Sequence, residues 1–414
     1  MVKRAVLVVC GVFLSMLCQA QSPLSLHQAL QTARTENPAM KALGYNINLA
    51  EGNLTTSRLH TNPVLNNQSL QLTDPAYYHG TEFYRPVNRQ VWWQLTKPFV
   101  LPSQRRYRIE LASQGVSLAA RTFEDNVRSF SADVANQWLA TWIIRERLDL
   151  LNQAYTNIDS LVRINKVRLR NQVITTTELI RTQLLMDQYQ LQLISAGKEL
   201  RNQQQKLRYL LGSADSITVD IEAPIETITI PEQADTLLKT AIGQRGDVLA
   251  ALAASKAAGI NQQYQRSMAL PQPELGMIWN PQNTVPYLGI FGTVRIPLFD
   301  RNQGEIEKSR YLQLQANEVV RAAQLKVETE IKAAWISYTT EKANLRRYAT
   351  ILEQTEQVLE NVRYAYLKGG TTIIDFLDAQ RGWFDTRKLH LDALLAYHQS
   401  YIQLLYATGL INQL

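Results

Sequence analysis

The sequence has two cysteines, Cys10 and Cys18, and both lie near its amino terminus. Two basic residues and an apolar run precede Ala20, which closes a small-x-small pattern of the kind that signal peptidase cleaves. We therefore interpret residues 1–20 as a signal peptide, with lipid attachment at Cys18 as the alternative. The rest of the chain then has no thiol, which excludes disulfides, thiolate metal sites and a cysteine nucleophile.

Other absences narrow the function. After residue 20, no apolar run reaches the roughly eighteen residues that a membrane-spanning helix needs. The histidines are scattered, and neither a glycine-rich phosphate loop nor a Gly-x-Ser-x-Gly turn occurs. The net charge is +7, but no cluster of Lys and Arg is interleaved with aromatic residues. We therefore predict that the protein is not an enzyme, holds no metal or other cofactor and binds no nucleic acid.

Proline is absent from two long tracts. All 14 prolines fall within 23–102, 224–231 and 271–297. Proline disrupts helix interiors, so the tracts 103–223 and 298–414 are both free to be helical. Their richness in Leu, Gln, Ala, Arg and Glu favours helix as well.

Each proline-free tract has one internal break, at 171–177 in the first and 368–372 in the second. Because apolar periodicity resumes after each break, we predict two helical hairpins. A helix over 104–170 would be ~100 Å long and would need partner helices along its length. Each tract also carries an apolar seam with the spacing of a coiled coil. The seams are Leu148, Leu151, Tyr155, Ile158 and Val162, and Leu345, Tyr348, Leu352, Leu359, Val362 and Tyr366.

The second half of the chain repeats the first. An offset of 197 maps the first seam onto the second and Glu178 onto Asp375. We interpret the mature chain as two repeats, 21–212 and 234–414, joined by a linker over 213–233. Each repeat is predicted to contain short helices, two strands and one long helical hairpin.

Two short runs of alternating apolar and polar residues lie between the helices of each repeat, which is typical of strands. Their apolar residues are predicted to form one face that meets lipid, as in a membrane β-barrel. The alternative is a soluble sheet that packs on the helices. The predicted membrane-facing residues are Leu70, Leu72, Val91, Trp93, Leu95, Leu275, Met277, Trp279, Leu288 and Ile290.

Four strands per chain are too few to close a barrel, because the smallest barrels have about eight. Open strand edges are not tolerated in lipid. A membrane role therefore requires an oligomer, in which a dimer would supply about eight strands and a trimer about twelve.

Four segments carry a resemblance to a known family. They are Leu24-x4-Ala29-Leu30-x2-Ala33-x3-Asn37-Pro38, Ala241-x3-Arg245-Gly246-Asp247, Ile296-Pro297-Leu298-Phe299-Asp300-Arg301-Asn302-Gln303-Gly304 and Tyr366-x2-Gly369-x2-Thr372-Ile373-Ile374-Asp375-Phe376-Leu377-Asp378-Ala379. With the order of elements, these segments resemble the TolC family of outer-membrane efflux proteins. The third segment resembles the CzcC/CusC branch, which serves heavy-metal efflux.

The resemblance implies a mainly α-helical chain with a small membrane β part. Three such chains would form a TolC-like α/β barrel in the outer membrane that extends into the periplasm. The implied function is passive conduction of metal cations or other small toxic molecules. The implied partners are two further copies of the chain, outer-membrane lipid, a periplasmic adaptor (membrane fusion) protein and an inner-membrane pump of the resistance-nodulation-division type.

The resemblance also implies an entrance gate at the second hairpin tip. Tyr366, Asp375 and Asp378 match gating positions of the family, whereas Thr371 stands where the family gate has an arginine. That departure puts a salt-bridged closed gate in doubt. The tips are further implied to contact the adaptor. The tip residues are Val173, Ile174, Thr175, Thr176, Gly369, Gly370 and Thr372.

The two aspartates support a physical hypothesis of their own. Asp375 and Asp378 are three residues apart and so share a helix face. If both point into the lumen of a trimer, their carboxylates form a ring that attracts cations and repels anions. The alternative is an ordinary solvated helix face.

A periplasmic adaptor, or a coiled-coil scaffold without a channel, is the alternative function. An adaptor would carry one hairpin flanked by small β domains. Two predicted hairpins and an end-to-end repeat favour the channel.

Overall fold

The computed structural model describes residues 23–215, 217–220, 234–281 and 286–414. The predicted signal peptide and most of the predicted linker lie outside these residues. The described chain is mainly α-helical and contains one four-stranded antiparallel sheet. The predicted fold class is thereby confirmed. None of the helices within the described ranges combines the length and apolar character that a membrane crossing requires.

The first half contains two short helices, two strands and one long helical hairpin. These are α1 (Leu26–Glu36), α2 (Pro38–Arg58), β1 (Val64–Gln71), β2 (Arg89–Pro98), α3 (Pro102–Arg170) and α4 (Thr176–Leu211). The break between α3 and α4 is the one that the sequence predicts, although α4 already begins at Thr176.

The same order of elements recurs in the second half. The elements are α5 (Ala234–Gln244), α6 (Gly246–Met268), β3 (Pro273–Asn280), β4 (Tyr287–Val294), α7 (Gln303–Leu367) and α8 (Ile373–Thr408). The returning helices α4 and α8 are each 36 residues long. This recurrence is what the predicted repeat requires.

The chain divides into two compact units. Among the described residues, the helical unit draws on the ranges 23–43, 125–245 and 326–414, and the strand-bearing unit on 44–124 and 246–325. Each unit therefore takes segments from both predicted repeats. The predicted repeats, 21–212 and 234–414, are therefore repeats of the sequence. The compact units of the structure have different boundaries.

The helical unit contains a continuous apolar core. Trp138 of α3, Leu30 of α1 and Tyr401 of α8 are each at most 2% exposed. The indole Nε1 of Trp138 donates a hydrogen bond to the carbonyl oxygen of Leu24 at 2.9 Å. The predicted seam contributes Leu151, Ile158 and Val162, all buried. Such burial stabilises long helices that would be marginal in water alone.

The returning helices α4 and α8 end in equivalent ways. Gly212 and Gly409 terminate them in the left-handed conformation, with φ of 66° and 81°. At Gly212 a Cβ would also lie 2.9 Å from the Cα of Asn37. Glycine is therefore required there by both its φ and its lack of space.

Two buried donors hold the last turns of these helices. The Nδ2 of Asn37 donates to the carbonyl oxygen of Leu210 at 2.9 Å. The Nη1 of Arg245 donates to the carbonyl oxygen of Ala407, also at 2.9 Å. Asn37 and Arg245 occupy matching places between the two short helices of each half. Carbonyls in the last turn of a helix have no partner within it, so these donors satisfy groups that burial would otherwise penalise.

Arg245 is fully buried and also donates to Glu330 Oε2 at 2.6 Å. A buried guanidinium needs a compensating carboxylate, because removing the partner leaves an unpaired charge in the core.

The strand-bearing unit contains the sheet, in the order β1-β2-β3-β4. Its central pair, β2 and β3, joins the two halves of the chain, with Trp93 opposite Trp279 and Leu95 opposite Met277. Residues opposite one another in antiparallel strands project to the same side. Most of the predicted membrane-facing residues therefore share one face. These are Val91, Trp93, Leu95, Leu275, Met277, Trp279, Leu288 and Ile290.

Leu70 and Leu72 do not belong to this face, which corrects the prediction. Leu70 lies opposite Gln90 and therefore projects to the other side, while Leu72 follows the last residue of β1. Leu65, opposite Leu95, takes their place and is 64% exposed. The physical reason is register, since a shift of one residue moves a side chain to the opposite face.

Replacing Glu330 with Gln should destabilise the protein by about 3 kcal/mol, because it removes a carboxylate that is bonded directly to the buried guanidinium of Arg245. Glu328→Gln is the matched control, since Glu328 pairs with Lys332 on the exposed side of the same helix. That control should cost less than about 1 kcal/mol. The midpoints of thermal unfolding of the two variants provide the comparison, and equal midpoints would refute the assignment.

Candidate functional site at the hairpin tips

Both hairpin tips restart a helix with the same local device. Thr175 precedes α4, its hydroxyl accepts from the backbone N–H of Glu178, and the Glu178 carboxylate accepts from the N–H of Thr175. Thr372 and Asp375 form the equivalent capping box before α8. The box satisfies amide groups that the first turn of a helix leaves unpaired. The sequence offset of 197 noted above maps the first cap onto the second.

The Asp375 carboxylate is committed to this cap. Its Oδ2 accepts from the Thr372 hydroxyl at 2.6 Å, from the Thr371 hydroxyl at 2.7 Å and from the Thr372 backbone N–H at 3.1 Å. These donors, those of Thr372 first, lower the pKa of Asp375. Thr371, which replaces the family's arginine, thus acts as a neutral donor to the carboxylate.

Asp378 lies one turn further along α8 and is exposed. The cap does not remove the charge of Asp375, because a lowered pKa favours the ionised carboxylate. The predicted ring stays a prediction for both residues.

Tyr366 is buried at the centre of a hydrogen-bonded chain. Its hydroxyl donates to Asn165 Oδ1 at 2.9 Å, and Asn165 Nδ2 donates to Thr182 Oγ1 at 3.0 Å. The Thr182 hydroxyl in turn donates to the carbonyl oxygen of Glu178 at 2.9 Å. Tyr366 is 4% exposed, and Asn165 and Thr182 are fully buried. We call Tyr366, Asn165 and Thr182 the tip junction.

The tip junction links the two hairpins, because Tyr366 belongs to α7 whereas Asn165 and Thr182 belong to α3 and α4. The ring of Tyr366 stacks on Phe376, with centroids 5.4 Å apart and planes at 3°. The guanidinium of Arg168 lies 4.8 Å from the centre of the Tyr366 ring. A buried polar network with every member satisfied makes this arrangement of the two hairpins specific.

Sequence reasoning placed Tyr366 at this site but missed Asn165 and Thr182. A signal was present, because Asn165 follows Val162 at the next position of the first seam. A polar residue within an apolar seam specifies register and partner.

The residues predicted to contact an adaptor surround the tips. Val173 is 63% exposed, and Thr175, Thr176, Gly369, Gly370 and Thr372 are exposed, while Ile174 is half-buried. Their surface position leaves them accessible to a partner, and their role stays a prediction.

Two histidines of α8 lie away from the tips. His398 packs edge-on against Trp142, with ring centroids 5.9 Å apart, and burial lowers its pKa to about 4. Burial also lowers the pKa of His390, with the nearby Arg387 acting in the same direction. Among the described residues, no group of three or more His, Cys, Asp or Glu is arranged to hold a metal ion.

Comparison with known proteins agrees with the resemblance seen in the sequence. Residues 237–410, which hold α7, the second tip and α8, match the family described as outer membrane efflux protein. A relative, the cobalt-zinc-cadmium resistance protein CzcC of Cupriavidus metallidurans, is 22% identical over 92% of this chain and 89% of its own length.

Solved structures agree with the assignment. CusC, whose structures concern folding and transmembrane channel formation, superimposes with a TM-score of 0.79 at 16% identity, covering 92% of this chain and 91% of CusC. A membrane protein of Pseudomonas aeruginosa gives a TM-score of 0.77 at 16% identity, covering 93% of each chain. These likenesses show the fold.

These similarities agree with the predicted outer membrane efflux protein, which is not an enzyme. The predictions of family and localisation are confirmed, and the alternative of an adaptor or scaffold without a channel is set aside.

Tyr366→Phe should destabilise the protein by about 1–3 kcal/mol, because it leaves the buried Oδ1 of Asn165 without a donor. Tyr364→Phe is the control, since Tyr364 is 67% exposed two residues away. Its effect should stay within about 0.5 kcal/mol. Thermal unfolding of both variants measures the difference, and a neutral Tyr366→Phe would show that the junction contributes nothing.

Stability should fall as the pH is lowered from about 6.5 to about 4. The unfolded chain binds a proton at His398 near pH 6.5, whereas the folded chain does so only near pH 4. At pH 4 this difference amounts to roughly 3 kcal/mol. Unfolding midpoints of His398→Gln should decline less over this window than those of the wild type or of His60→Gln, at an exposed histidine. If the unfolding midpoints of all three proteins decline equally, the lowered pKa of His398 is not the cause of the pH dependence.

Proposed function

We propose that three copies of this chain close a twelve-stranded barrel in the outer membrane and join their helices into a periplasmic duct. Substrate passes through passively, after delivery by an inner-membrane pump of the resistance-nodulation-division type through a periplasmic adaptor. The observation that carries the proposal is the sheet, whose apolar face and two outer edges have no cover within the described chain.

The apolar face supports contact with lipid. Its exposed members range from 38% for Trp93 to 83% for Ile290. A contiguous apolar surface of this kind marks an interaction site in proteins generally. The position of tryptophans on the face also fits the aromatic residues found at membrane interfaces.

The edges of the sheet support assembly with further copies of the chain. Within the described residues, β1 pairs only with β2 and β4 only with β3. Lipid does not tolerate unpaired backbone groups, so the outer edge of β4 must meet β1 of another copy. Three copies contribute about twelve strands, within the range of membrane barrels.

The tip junction supports a closed entrance. Tyr366, Asn165 and Thr182 tie the second hairpin to the first, so opening the entrance requires these hydrogen bonds to break. The exposed tip residues, among them Val173, Thr176 and Gly370, would meet the adaptor, whose binding would favour the open arrangement.

Metal cations, or other small toxic molecules, are the proposed substrates. The name of the relative CzcC refers to cobalt, zinc and cadmium. Passive conduction needs no tight metal site, and a ring of Asp378 carboxylates would suffice to favour cations at the entrance.

Three measurements test the proposal. The full chain, extracted from outer membranes, should migrate as a trimer that dissociates on heating, and in planar bilayers it should conduct ions. Deletion of the gene should raise sensitivity to metals or drugs. A protein recovered only as a water-soluble monomer would overturn the proposal.

Asp378→Asn should reduce the preference of the channel for cations over anions severalfold, because it removes one charge per chain from the entrance. Asp385→Asn, also exposed on α8, should leave selectivity unchanged. Reversal potentials under a salt gradient measure both variants. If the double variant Asp375→Asn, Asp378→Asn keeps wild-type selectivity, no carboxylate ring exists.

A further inference from the structure

A cleft of about 430 Å³ lies in the helical unit, between α3, α7 and α8. Its size falls within the range of small-molecule sites. Its lining includes Glu356, Tyr366, Phe376, Gln380 and Trp383. Tyr366 and Phe376 also belong to the hairpin tip described above. The other lining residues of the cleft have no role in the site described so far.

A buried amide lines this cleft. Gln380 is 3% exposed, and its Nε2 has no hydrogen-bond partner among the described residues. A buried donor without an acceptor costs free energy, and native proteins rarely retain one without a reason. A ligand oxygen placed in the cleft would satisfy the amide.

The floor of the cleft is aromatic. Tyr366 and Phe376 lie nearly parallel, and Trp383 is half-buried beside them. Because Phe376 and Arg168 already flank the Tyr366 ring, the half-buried Trp383 is the part of this floor that a ligand can reach. A flat ring packs well against an indole, and a cation gains further from its negative face.

The rim of the cleft is acidic. Glu356 accepts a hydrogen bond from the indole of Trp383 at 3.5 Å and makes no ion pair in the described part of the chain. Glu360 is matched by Arg363 at 3.4 Å. The carboxylate of Glu356 is therefore left to attract a positive charge beside Trp383.

We propose that this cleft binds a flat aromatic cation that carries an oxygen acceptor. The ring lies on the aromatic floor, the acceptor takes the hydrogen bond from Gln380, and the positive charge faces Glu356. Binding requires neither conduction nor a partner, so its outcome is independent of the proposed channel function.

Berberine, a planar cation with ether oxygens whose fluorescence rises when it leaves water, is the probe. Titrated into the purified full chain in detergent, it should give saturable binding. Glu356→Gln should weaken the binding severalfold. Glu353→Gln, exposed on the same helix and outside the lining, should leave it unchanged.

The variant Gln380→Leu tests whether the unsatisfied amide serves ligand binding or is only a packing defect. Removing an unsatisfied buried amide should raise the thermal midpoint of the empty protein. The same change should weaken berberine binding about tenfold, the equivalent of one hydrogen bond. Saturable binding that both Glu356→Gln and Gln380→Leu weaken supports the cleft. The proposal is overturned if berberine does not bind. It is also overturned if neither variant changes the binding, which is the result expected if berberine merely partitions into the detergent.

Discussion

The long helices depend on hydrogen-bond partners for the ends of α4 and α8. The last carbonyls of these helices are buried, so each needs a donor from elsewhere in the chain. Asn37 provides it for Leu210, and Arg245 provides it for Ala407. These contacts fix the axial position of each returning helix against the short helices. An axial shift of α4 or α8 would move its side chains relative to the seams on α3 and α7. The register at the tips therefore depends on the opposite ends of α4 and α8.

The sequence was sufficient for the helical part of the fold because proline and periodicity act locally. The breaks at 171–177 and 368–372 follow from local patterns and lie where the helices turn. The sheet was harder. The alternation around Leu70 predicts a strand but does not say which alternate residues meet those of β2. Only pairing decides this, and it places Leu65 and not Leu70 on the exposed apolar face.

The candidate site was predictable to the extent that it is local. The Thr-x-x-Glu and Thr-x-x-Asp patterns at Thr175 and Thr372 are capping boxes, so the commitment of Asp375 to the helix start could have been predicted. The bond from Tyr366 to Asn165 joins residues 201 positions apart. No local pattern pairs them, and the polar position of Asn165 in the seam only indicates that a partner exists.

The nature of the junction bears on how an entrance could open. Tyr366, Asn165 and Thr182 are joined by neutral hydrogen bonds, whose strength does not depend on ionic strength as that of exposed ion pairs does. Each bond contributes only about 1 kcal/mol net if water replaces the lost partner. The observed arrangement of the hairpins is therefore specific, while separating them would cost little free energy if water entered between them. A partner that binds only the open tips needs little differential affinity to shift such an equilibrium.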